Sequence, residues 1–79
     1  MSNTPHTLHE EFPAEVEKIS ALKVANAHFA RLLDEYDAVN DQVHRAEARV
    51  DAVTEDHEAE LRRKRSHLKD EIARMLRAA

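Results

Sequence analysis

The sequence predicts an all-α fold: an antiparallel helical hairpin, with a long first helix and a shorter second one, that self-associates into a four-helix bundle or coiled coil. Three observations carry that expectation. Glycine is absent and both prolines fall before residue 14, so nothing later punctuates a helix. Apolar residues recur at heptad spacing from Ile19 to Val50. A second apolar stripe, Leu61 to Leu76, follows in a different phase, as expected when two helices are separated by a turn.

The chain has 79 residues, enough for one domain with a small core, and no Cys, so disulfides cannot supplement that core. A Cys-free chain suits a reducing cytoplasm, the expected location. The polar start "MSNTPHTLHEE" lacks the basic and apolar parts of a signal peptide, and no segment approaches the length of a membrane span. Charged residues make up 35% of the chain and aromatics 4%. Such a composition fits a charged helix or a disordered segment, and the heptads favour helix.

Residues 1–12 read as flexible or weakly helical, with Thr4 and Pro5 placed to cap one turn. Residues 13–79 read as the hairpin: helix 1 over about 13–50, a turn at about 51–54, and helix 2 over about 55–78. Pro13 suits a first helical position, Glu15 and Glu17 suit the positive end of the helix dipole, and Phe12 is placed to staple onto Val16. Along helix 1, Ile19, Asn26, Leu33 and Asn40 occupy one seam position; Leu22, Phe29, Tyr36, Val43 and Val50 occupy the other. Leu32, Val39, Ala25 and Ala46 widen the stripe toward bundle width.

Residues 51–60 contain almost no large apolar side chain, and Thr54 followed by Glu55 and Asp56 has the pattern of an N-cap with acidic first-turn residues. Carried through this gap, the first seam would bury Lys64 and Glu71. A turn removes the conflict; the rival is one continuous helix with a stutter. Folding near residue 52 sets Val43 against Leu61, Asn40 against Arg65, Tyr36 against Leu68, Leu33 against Ile72, and Phe29 against Met75 and Leu76. Of these, Leu33, Tyr36, Asn40, Val43, Leu61, Leu68, Ile72, Met75 and Leu76 form the expected hairpin core.

In this register helix 2 ends opposite about Ala25, so Val16, Ile19 and Leu22 extend beyond it. Together with Asn26 and Phe29 they are the expected interface of a homodimer. Buried Asn26 and Asn40 would penalise wrong registers, because misalignment leaves an amide unpaired.

The run Arg62, Arg63, Lys64, Arg65 is the most conspicuous charge feature of a chain whose formal net charge is -4. Consecutive helical residues wrap around the cylinder, so the run does not form one stripe. Acids at favourable spacing precede it, and helix 2 has no aromatic on which a base could stack. The run therefore reads first as the solvated side of a helix, with Arg62, Arg63 and Arg65 as a candidate docking surface for an unidentified protein. Nucleic-acid binding through the basic face of helix 2 is the alternative, and the one less favoured.

No catalytic, cofactor-binding or metal-binding residue is assigned. His6, His9 and Glu10 in "HTLHEE" could approach one ion, but a structural zinc site needs four ligands. The other four His fall outside both seams. Neither a nucleophile-base pattern nor a Gly-rich phosphate loop is present. The expected function is thus a non-enzymatic protein-interaction module.

Phe12 and Pro13, the segment "NAHFARLLDEYDAVNDQVHR" (26–45) and the closing "LKDEIARML" (68–76) occur in an order and separation that resemble the YdcH-like family of short bacterial proteins of unknown function. The resemblance implies a self-associating helical hairpin and a bacterial, cytoplasmic setting. It carries no site residue. Relatives often have Gly or Pro between the helices, whereas "VDAVTED" has neither.

Overall fold

A computed structural model describes residues 6–79, and the turn expected at Thr4 and Pro5 lies outside them. The described residues are mostly helical, with four α-helices and no strand among them. They are α1 (Leu8–Glu11), α2 (Val16–Ala25), α3 (Ala27–Glu47) and α4 (Glu55–Ala78), with a 3-10 turn at Pro13–Glu15.

The first helical turn starts at Thr7, whose hydroxyl accepts from Glu10 N at 3.3 Å, while the Glu10 carboxylate accepts from His6 N at 3.0 Å. This reciprocal pair is a shifted form of the capping box, and it anchors Leu8, which is buried. Pro13 opens the 3-10 turn and not a long helix; the regular helix begins three residues later at Val16.

The single helix expected over 13–50 is broken at Asn26. There the backbone is extended, φ -137° and ψ 108°, and one residue serves two helices. Its N–H donates to Leu22 O at 2.9 Å and closes α2, while its Oδ1 accepts from Phe29 N at 3.0 Å and opens α3. Asn is among the best N-cap residues because its short side chain reaches an amide that no helical carbonyl satisfies. The longest dimension of the protein is 38 Å. An unbroken helix over 13–50 would measure about 57 Å at about 1.5 Å per residue, so α2 turns back beside α3.

That reversal corrects the placement of the overhang. Ile19 is only 5% exposed and belongs to the same cluster as Phe29, Leu33 and Tyr36; Leu22 packs against it and Val16 is half-buried. The chain covers its own remainder.

α3 buries Phe29, Leu32, Leu33, Tyr36, Val39, Asn40, Val43 and Ala46, a continuous three- and four-residue spacing that defines a wide apolar face. α4 answers with buried Leu68, Ile72 and Leu76, and with Leu61 and Met75 partly buried. The two helices run in opposite senses, since Arg62, early in α4, reaches Glu47 at the end of α3, and Arg65 reaches back to Asn40.

The connection begins earlier than residue 51. α3 ends at Glu47, and Arg49 takes a left-handed conformation (φ 62°). Arg49 N donates to Ala46 O at 3.2 Å and Val50 N to Arg45 O at 2.9 Å. These are the two bonds of a Schellman ending, normally built on glycine. Val50, assigned to the seam from its spacing, lies past this ending and is 66% exposed. Arg45 spans the turn and grips Asp51 with two hydrogen bonds, 3.0 and 3.1 Å. Thr54 then caps α4 by accepting from His57 N at 3.1 Å, with Glu55, Asp56 and Glu58 in the first turn.

These two ends give opposite expectations. Arg49→Gly relieves a left-handed side chain and should stabilise by about 0.5–1 kcal/mol after the entropy of Gly in the unfolded chain is deducted. Thr54→Ala should destabilise by about 1 kcal/mol. Urea unfolding followed by circular dichroism measures both; an Arg49→Gly variant weaker than the parent contradicts the left-handed ending.

Candidate interaction site

Three surfaces carry the residues with interaction potential: the basic segment of α4, the N-terminal arm (residues 6–25), and the seam where the arm meets α3 and α4. Each is positioned by a hydrogen-bonded polar residue.

In the basic segment, Arg65 Nη1 donates to Asn40 Oδ1 at 3.0 Å. Asn40 is 2% exposed, and a buried amide left without partners would cost about 1–3 kcal/mol. Arg65 thus serves the interior, and its guanidinium is half-withdrawn from the surface. Arg62 is held between Glu47 (2.9 Å) and Glu58 (3.0 Å), and its hydrogen bond keeps the Glu47 carboxyl below the usual carboxylate range. Arg63 and Lys64 are exposed and have no ion-pair partner among the described residues. Of the three arginines named for docking, only Arg63 is uncommitted. Phosphate binding needs clustered, uncompensated charge, and this segment offers two such cations.

The arm is tied at Tyr36. That residue is fully buried on α3, and its hydroxyl donates to His6 O at 2.7 Å, across 30 residues of sequence. The His6 ring lies parallel to that of His44, centroids 6.1 Å apart, and its Nδ1 is 3.0 Å from Glu11 Oε1. The same oxygen is 3.4 Å from Lys69 Nζ on α4. The hydrogen bond with His6, helped by Lys69, holds the Glu11 carboxyl below its usual range against partial burial. One carboxylate therefore links the arm to the C-terminal helix. His9 and Glu10, considered with His6 as ligands, are exposed, and the described residues contain no group of three or more His, Cys, Asp or Glu close enough to share an ion. His28, His57 and His67 are exposed, and His44 is half-buried.

Between α1, α2 and α3 lies an open cleft floored by Leu8, Ile19 and Leu33 and edged by Asp34, Asp37 and Lys23. Burial, reinforced by Asp34, pushes the Asp37 carboxyl up, while Lys23 and His9 pull it down. The cleft is thus edged by acidic and basic groups together, Asp34, Asp37 and Asp41 beside Lys23 and His9.

α2 has two unlike faces. Ile19 and Leu22 point inward, whereas Ala21, Val24 and Ala25 are exposed at three- and four-residue spacing, Val24 at 89%. Ala25, read from sequence as a flank of the seam, belongs to this outer face. Among the residues expected at a dimer interface, Ile19 and Phe29 are buried within the chain, Asn26 is a cap, and Val16 and Leu22 are half-buried. Val24 was not singled out by the heptad, although a β-branched apolar residue outside both seams was the available signal. No helix among the described residues is long and apolar enough to cross a membrane.

Burial raises the Tyr36 hydroxyl to about 12 from an ordinary value of 10.0, with the Glu11 carboxylate adding to the rise and Arg65 opposing it. The folded state therefore favours the neutral phenol. Its contribution is complete below pH 10 and is lost as pH climbs toward 12. Tyr36→Phe should lower stability at neutral pH by about 0.5–1.5 kcal/mol through the lost hydrogen bond, yet remove this alkaline decline. Thermal melts from pH 7 to 12 on both proteins check the pair of effects; a variant that retains the decline refutes the assignment.

No curated protein and no solved structure matches the chain. Residues 29–76 match the family described as "Protein of unknown function (DUF465)". The match starts at buried Phe29, ends at buried Leu76 and takes in the Asn40–Arg65 bond and the turn between α3 and α4, while the arm falls outside it. More than half of the chain lies within it, and the protein belongs to the DUF465 family.

Proposed function

We propose that this protein is a non-enzymatic helical-hairpin module that acts by self-association, two copies forming a dimer. The observation that carries the reading is the outer face of α2, where Ala21, Val24 and Ala25 present a small apolar stripe to solvent. Small residues allow close approach of a second helix, and a stripe with no cover in its own chain gains most from one. Isolated surface hydrophobics are common; three at helical spacing on one short helix favour docking.

The polar groups support the same reading. Asn40, Arg65, Tyr36, Glu11 and Arg62 are all engaged in pairs that hold helices together. A docking role for the basic segment rests on Arg63 and Lys64, and nucleic acid is the weaker alternative because Arg62 and Arg65 are committed. The resemblance to YdcH-like bacterial proteins and the Cys-free composition favour a cytoplasmic setting.

Sedimentation equilibrium at micromolar concentration should give a dimer. Val24→Glu should raise the dissociation constant by about tenfold or more, equivalent to about 1.4 kcal/mol. A wild-type chain that remains monomeric and fully helical overturns the reading.

A further inference from the structure

Two features of the arm sit badly with a purely closed monomer. The spacing Ile19, Leu22, Asn26, Phe29, Leu33 alternates three and four residues straight through the break at Asn26. A chain that only needed two separate helices has no reason to keep one helical phase across the joint. The second feature is the apolar residues around the joint: Ala21, Val24, Ala25 and Ala27 are all exposed within a few residues of Asn26.

The arm is also weakly held. Of residues 6–25, only Leu8 and Ile19 are buried; Phe12 and Leu22 pack partly buried against the same cluster, and the polar ties are the Tyr36 hydroxyl bond, the Glu11–Lys69 pair and the His6–His44 ring contact. Segments with so few buried anchors open at low cost. Leu8 and Ile19 share one apolar cluster with Phe29, Leu33 and Tyr36 of α3, and an identical arm fits that seat equally well.

From these observations we infer that Asn26 is a hinge and that the dimer forms by arm exchange: residues 6–25 leave their own α3 and α4 and occupy the same seat on a second copy. This rests on the self-association reading and specifies its form. In the closed chain, the Asn26 side chain caps α3; in the open chain, α2 and α3 join into one helix and the cap is released. Leu8 and Ile19 then fill the partner's core in the places they fill at home, so no new pocket is required. The two straightened helices pass each other near Asn26, where Val24 and the neighbouring alanines meet their counterparts. The exposure of Val24 in the closed chain follows from this, because its partner is the other copy.

Two substitutions push the hinge in opposite directions. Asn26→Ala removes the cap and suits a helix interior, so it favours the open form. Losing one cap at each of two hinges should tighten the dimer about 25-fold, a factor of about five per hinge. Ala27→Pro holds the break. Pro is favoured at the first position of a helix and disrupts an interior one, and the extended backbone of Asn26 is close to what a following Pro requires.

The experiment is sedimentation equilibrium of wild type, Asn26→Ala and Ala27→Pro, with circular dichroism to verify helix content. Because the chain has no Cys, a donor dye can be placed at Ser20→Cys in one population and an acceptor at Asp41→Cys in another. These residues line the same cleft, so exchange brings arm and seat from different copies together. A tighter Asn26→Ala dimer, a monomeric and helical Ala27→Pro, and energy transfer between mixed copies together support exchange. An Ala27→Pro chain that dimerises like wild type, without transfer, overturns exchange and leaves self-association standing. If neither wild type nor Asn26→Ala associates, both readings fall.

Discussion

The arrangement of the chain turns on Asn26, where two hydrogen bonds decide the direction of everything before it. A helix interrupted at an ordinary residue would strand several amides and carbonyls. Here Leu22 O and Phe29 N are both satisfied, and Asn26 O still accepts from Ala30 N at 3.0 Å. Ala27 and His28 follow at positions where amides are ordinarily hydrated, and both are exposed. The interruption is therefore inexpensive. Against that small cost stands the burial of Leu8 and Ile19, each contributing about 1.5–3 kcal/mol. Without the cap the arm would extend along α3's axis, and both anchors would leave the core.

Much of the α3–α4 packing could be read from spacing. The sequence register placed Asn40 opposite Arg65, and they share a hydrogen bond of 3.0 Å. Thr54 was placed as a cap, and its hydroxyl accepts from His57 N. Such features are local or periodic, and periodicity reports which residues share a face. It does not report whether a polar residue on that face is buried or breaks the helix. Asn26 and Asn40 occupy the same heptad position, yet one caps and the other is buried. What separates them is tertiary: Arg65 reaches Asn40, while Asn26 lies where the arm folds back. Arg49 was illegible for a related reason, since a left-handed ending normally announces itself by glycine and this one does not. Residues 6–12 lack periodicity, so the buried place of Leu8 had no signal.

The interior polar contacts do more than satisfy isolated groups. Tyr36 and Asn40 are one turn apart on the same face of α3 and reach in different directions, Tyr36 to the arm and Asn40 to α4. A sliding of α4 by one residue would part Arg65 from Asn40, and a sliding of the arm would part His6 O from the phenol. Apolar side chains alone tolerate such slips, because burial has no direction. Each polar pair therefore fixes a register that the leucines and valines around it leave loose. Glu11, in contact with both His6 and Lys69, couples the two registers.

Arm exchange can be weighed in magnitudes. A tethered arm meets its own seat at an effective concentration of about a millimolar. A second copy present at about a micromolar is disadvantaged by three decades, about 4 kcal/mol. Contacts that reappear unchanged in the dimer cannot supply this difference, since they exist in both states. It must come from groups that differ: the two hinges and the residues beside them. Val24 is 89% exposed when the chain is closed, and covering a valine fully yields about 1.5–3 kcal/mol. Two copies give about 3–6 kcal/mol on the same scale, which meets the deficit, whereas each released cap subtracts about 1 kcal/mol. The terms lie close to balance. Such a hinge responds to small changes at Asn26 or Val24, and protein concentration itself sets the population of the open form.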